Sequence, residues 1–93
     1  MPAKPTTDAH KAGANRRVFR ALLTTHDLML KDSAELIGMH TGRPCSYRTV
    51  KSWMADPDEV ATARPCPEWA VEALRAAVER PELLERIRSH AAA

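Results

Sequence analysis

A chain of 93 residues has room for one hydrophobic core and not two. Its 44% hydrophobic and 28% charged residues are a globular composition, but with two Trp, one Tyr and one Phe the core has to be aliphatic and alanine-rich. The net charge of +2 hides an asymmetry, since residues 1–54 hold nine Lys/Arg against four Asp/Glu (+5) and residues 55–93 hold five against eight (−3), a front half suited to a polyanion such as nucleic acid.

Residues 1–14 hold two prolines and a glycine without apolar periodicity and read as a flexible, weakly basic arm. Asn15 is a good N-cap. After it Val18, Phe19, Leu22 and Leu23 recur at helical spacing and Arg16, Arg17 and Arg20 face outward, which predicts a helix over 15–25. Leu30, Ala34 and Ile37 predict a second helix over 29–38, with Gly38 as the left-handed residue that closes it. Gly42 and Pro44 make His40–Cys45 a connector.

Ser46 caps a third helix in which Val50, Trp53 and Met54 stand at i, i+3 and i+4 and face inward. Asp56-Pro57-Asp58 ends that helix, and a loop runs on to Cys66. Pro67 fits the first position of a fourth helix striped by Val71, Leu74 and Val78, and Pro81 opens a fifth, carrying Leu83, Leu84 and Ile87, before a fraying tail at 91–93. The fold class expected is all-α, a small five-helix domain. Residues 15–66 are the part expected to meet nucleic acid, and 67–93 the C-terminal helices of the same domain.

Two short helices, the second with the small Ala34 where it contacts the third, and a third with inward Val50 and Trp53 match a helix-turn-helix whose turn, at about six residues, is longer than usual. In that motif the outer, N-terminal side of the last helix enters the major groove, which points Ser46, Tyr47, Arg48, Thr49, Lys51 and Ser52 at DNA. Arg48 has the planar fork that matches guanine O6 and N7, and Arg43 in the turn suits a phosphate. Tyr47 has a second reading, with its ring packed on the first helix and only its hydroxyl showing.

The strings Phe19-Arg-Ala-Leu-Leu23, Ala34-Glu-Leu-Ile-Gly-Met39, Ser46-Tyr-Arg-Thr-Val-Lys-Ser-Trp-Met54 and Arg64-Pro-Cys-Pro67 resemble the small Cro/CI-type helix-turn-helix regulators of phages. The Arg-Pro-x-Pro lead into the fourth helix is most similar to the anti-CRISPR-associated (Aca) regulators. The resemblance covers residues 18–78. It implies a homodimer that represses its own anti-CRISPR operon by binding an inverted repeat in double-stranded DNA. The chain departs from the pattern where Met29 and Leu30 replace the usual Ser/Thr and Gln at the start of the second helix, leaving Lys31 as the nearby phosphate contact.

Val71, Leu74, Val78, Leu83, Leu84 and Ile87, with Trp69, supply more apolar surface than so short a chain is expected to bury alone, which predicts a dimer contact through the last two helices. The rival reading is a small helical interaction module, adaptor or antitoxin-like, using those same helices. No Gly-rich phosphate loop, nucleophile elbow or spaced carboxylate pair argues for catalysis. His10, His26, His40, Cys45 and Cys66 lack metal-ligand spacing, so no metal, cofactor or small-molecule ligand is expected. Cys45 and Cys66, each beside a connector, are either idle thiols or a redox-sensitive pair. Two cysteines, no apolar run long enough for a membrane span and no signal-peptide core predict a cytoplasmic protein.

Overall fold

The computed structural model describes residues 6–92, with side chains over 11–89. Five helices follow in order: α1 (Thr6–Thr25), α2 (Leu30–Thr41), α3 (Tyr47–Met54), α4 (Glu68–Val78) and α5 (Pro81–Ala92). No strand occurs among the described residues, and no described helix is long and apolar enough to cross a membrane. α2 packs against α3, α4 and α5, while α1 lies across α3 and α4.

α1 begins nine residues earlier than the periodicity indicates. Residues 6–14, read as an arm, are helical, and residues 1–5 lie outside the described residues. The stretch Asp8–Ala14 is rich in Ala, with Lys and His, and a single Gly13 costs a helix only about 1 kcal/mol. Asn15 is therefore no cap; inside α1 its Nδ2 donates to the Cys66 carbonyl at 3.0 Å.

α1 ends in a Schellman motif. Leu28 N–H donates to Leu23 O at 2.8 Å and Asp27 N–H to Thr24 O at 3.2 Å, with Asp27 left-handed at φ 54°. At the start of α2, Met29 N–H donates to Asp32 Oδ2 at 2.9 Å, so the chain substitutes a reaching carboxylate for a capping hydroxyl.

α2 runs past Gly38 to Thr41, and the left-handed residue is Gly42 (φ 77°), whose N–H donates to Gly38 O at 2.9 Å. Gly38 has another use. A Cβ there would stand 3.5 Å from Arg43 O and 3.9 Å from Cys45 N, so its bare backbone lets the α2–α3 connection fold close against α2. That connection is Gly42–Ser46, one residue shorter than His40–Cys45 and shifted toward α3. Pro67 likewise sits one place earlier than expected, as the N-cap of α4, whereas Pro81 is the first residue of α5.

The core is drawn from every helix: Phe19, Leu23, Ala34, Leu36, Ile37, Val50, Trp53, Met54, Val71, Leu74, Val78, Leu83 and Ile87 are all buried. Three alanines of α4, Ala70, Ala73 and Ala77, are buried too, which lets α4 sit close to α2 and α1. Ser33 is the one buried polar side chain among the described residues, and its Oγ is satisfied by Leu30 O at 2.6 Å.

This packing overturns the surplus of apolar surface inferred for the C-terminal helices. Val71, Leu74, Val78, Leu83 and Ile87 are buried inside the chain's own core, at 6% exposure or less. α2 and α1 cover α4 more completely than the spacing of its apolar residues indicates. Of the seven residues expected at a dimer contact, only Trp69, 55% exposed, and the half-buried Leu84 keep accessible surface.

Candidate nucleic-acid interface

α3 is eight residues long, with a sharply divided cross-section. Val50, Trp53 and Met54 are buried, and Tyr47, Arg48, Thr49 and Lys51 are exposed. Its start is fixed by Ser46, whose Oγ accepts from Thr49 N–H at 3.1 Å and lies 3.0 Å from Thr49 Oγ1. Both hydroxyls are thereby partly committed to the cap. Ser52 is half-buried and its Oγ donates back to Thr49 O at 2.7 Å, so it offers less to a ligand than its helical position indicates.

The inner face anchors on aromatic contacts. The Trp53 ring meets Phe19 of α1 edge-on at 6.3 Å between centroids, and Trp69 of α4 at 5.5 Å, near-perpendicular at 88°. The C-terminal end of α3 is closed from α1: Arg20 Nη2 donates to Met54 O at 2.9 Å and Arg16 Nη1 to Ala55 O at 3.3 Å. Cations at a helix C-terminus satisfy orphan carbonyls and oppose the negative end of the dipole. Arg16 and Arg20 thus do not simply face outward. With Phe19 and Leu23, Arg16 makes an i, i+3, i+7 stripe, the spacing that could have placed it against the core edge.

On the outer face, Arg48 makes no hydrogen bond or ion pair among the described residues, and α3 carries no acidic residue. The Lys51 ammonium lies 5.6 Å from the Tyr47 ring centroid, a cation–π distance. Tyr47 is itself half exposed, so more of it shows than its hydroxyl alone.

Arg43, exposed on the connection, has its backbone pinned: its N–H donates to Thr41 Oγ1 at 3.1 Å, and that hydroxyl donates to Ile37 O at 2.7 Å. Lys31 is exposed in the first turn of α2 without a partner among the described residues. The ion pairs Lys11–Glu68, Glu72–Arg75 and Arg80–Glu82 involve neither α3 nor its connection.

The rest of the polar chemistry is structural. Arg80 Nη1 donates to His40 Nδ1 at 3.2 Å, tying the end of α2 to the α4–α5 junction. Among the described residues no cluster of three or more His, Cys, Asp or Glu could hold a metal. Cys45 and Cys66 are free; burial raises both thiols, Cys66 to about 11 against a partial opposing pull from Arg16. A shallow hollow between α1 and the start of α2, about 440 Å³, is lined by Arg20, Leu23, Thr24, Asp27, Leu28 and Leu30. Comparison with family models, curated proteins and solved structures gave no match to this chain.

Proposed function

We propose that the protein binds double-stranded DNA sequence-specifically, as a transcriptional repressor, with α2 and α3 acting as a helix-turn-helix and α3 as the reading helix. One observation carries the reading: α3 is buried on one face and clamped at its C-terminal end, and its other face shows Tyr47, Arg48, Thr49 and Lys51 with no acid among them. A short, rigidly seated helix with an unpaired Arg on its outer face suits a major groove.

In this reading Arg48 is the base reader, Thr49 and Lys51 flank it, and Tyr47 lays its ring on the groove wall or a thymine methyl. Arg43 and Lys31 take phosphates on either side. Ser46 and Ser52 serve α3 first, since their hydroxyls already have partners in the helix. A homodimer would place two reading helices in successive major grooves about 34 Å apart, on an inverted repeat, and Trp69 and Leu84 are the members of the expected contact set left to join the copies. Repression of its own operon in a bacterial cytoplasm is the setting that the resemblance to Aca regulators adds.

The alternative, a helical interaction module acting through α4 and α5, is less favoured because the apolar stripes of those helices are spent on the core. Selection from a pool of random duplexes tests the proposal. Enrichment of one symmetric motif supports it, and a pool that stays random after several rounds contradicts it.

A further inference from the structure

α1 does more than cover the core: it holds α3 and the segment that follows it from one side. Three side chains of one α1 surface reach backbone carbonyls distant in sequence, Asn15 to Cys66 O, Arg16 to Ala55 O and Arg20 to Met54 O. The loop leaving α3 also turns back on it, with Arg64 N–H donating to Ser52 O at 2.9 Å. In contrast Arg17, turned further from the core than Arg16 or Arg20, is exposed and donates to no group among the described residues.

An eight-residue helix has only two turns, so its direction depends on what fixes its two ends. Ser46 fixes the first. At the other end, Met54 and Ala55 present carbonyls that no later turn of helix satisfies, and the two guanidiniums satisfy them. Trp53 sets the depth of α3 through its contacts with Phe19 and Trp69. Both ring contacts act through the one residue Trp53, so they leave α3 a point about which to tilt. The two hydrogen bonds from Arg16 and Arg20 restrain the tilt.

We infer that Arg16 and Arg20 are positioning residues that set the angle at which α3 presents Arg48 and Lys51, rather than contacts to the DNA backbone. The inference rests on the DNA-binding reading of α3. It separates two roles that look alike in sequence, since an arginine-rich first helix in a basic half-chain reads equally as a phosphate-binding face. An arginine already donating to a helix carbonyl has part of its fork committed, and its charge sits against the dipole end it neutralises.

Charge-conserving substitution distinguishes them. Lysine keeps the positive charge, but its ammonium ends short of where the guanidinium Nη atoms reach the carbonyls. Wild type, Arg16→Lys/Arg20→Lys and Arg16→Gln/Arg20→Gln are compared in duplex affinity across a salt series, and in amide hydrogen exchange of α3 without DNA. Positioning predicts that both double variants lose affinity by about tenfold, with the Lys variant keeping the wild-type salt slope. It also predicts faster exchange in the last turn of α3 and unchanged exchange in α4.

Wild-type affinity in the Lys variant, with a shallower salt slope in the Gln variant, would overturn the inference in favour of phosphate contact. Unchanged exchange of α3 in both variants would overturn it too. The exchange measurement needs no DNA, so the clamp is tested even if the wild-type protein binds no duplex, a result that would defeat the DNA-binding reading alone.

Discussion

Trp53 and Trp69 meet edge to face at 5.5 Å, one ring 6% exposed and the other 55%. The pair joins α3 to α4 and grades from core to surface, so its two halves should respond differently to truncation. Trp53→Ala is expected to cost about 3–5 kcal/mol, as large aromatic-to-alanine changes in cores do. Trp69→Ala should cost about 0.5–1.5 kcal/mol, the worth of an edge contact with modest burial. Urea unfolding of both variants checks the ratio; equal losses would mean that Trp69 is held by more than Trp53.

Asp27 occupies a left-handed position at φ 54°. Aspartate tolerates this region better than most residues, but glycine does so without a Cβ penalty. Asp27→Gly should therefore stabilise the α1–α2 turn by about 0.5 kcal/mol, net of glycine's greater freedom when unfolded. Calorimetry should show a rise in Tm of about 2–4 °C, and a fall would indicate that the carboxylate holds the turn.

The Cys66 thiol, pushed to about 11 by burial, is almost wholly protonated at pH 8. Alkylation should modify the half-buried Cys45 first and reach Cys66 slowly. A folded-state value above the ordinary 9.0 means that the native state holds the proton more tightly than the unfolded chain. This contribution to stability is complete below pH 9 and is lost as pH rises from about 9 to about 11. Urea titrations at pH 8, 9, 10 and 11 should show the decline in wild type and a smaller one in Cys66→Ala.

Arg43→Ala should weaken duplex binding evenly across sequences and reduce the salt slope by about one, leaving base preference intact. A changed base preference in that variant would place Arg43 at a base edge.

The cap and the buried stripe of α3 were legible in the sequence, because Ser46, Val50, Trp53 and Met54 state them within nine residues, while Ser52, read as outward, is half-buried. The start of α1 and the end of α2 were not. Gly38 looks like a helix stop, but a glycine also serves where backbone passes close, and only the folded connection at Arg43 and Cys45 separates the two uses. The surplus apolar stripe of α4 and α5 was misread for a related reason: stripes show that a face is covered, and the covering element here is the chain's own α2. The reach of Arg16 and Arg20 to α3 spans 39 and 34 residues, a distance over which local pattern says little.

Whether the outer face of α3 reads DNA is decided by fluorescence anisotropy with wild type and Arg48→Ala. The duplex from upstream of the protein's own gene is compared with a scrambled duplex, at low and physiological salt. A reading helix at α3 gives salt-sensitive binding that spares the scrambled duplex, a loss of about 1–3 kcal/mol on removing Arg48, and relaxed preference at the base pair it reads. Specific binding that Arg48→Ala leaves unchanged would contradict the assignment of α3 as the reading helix.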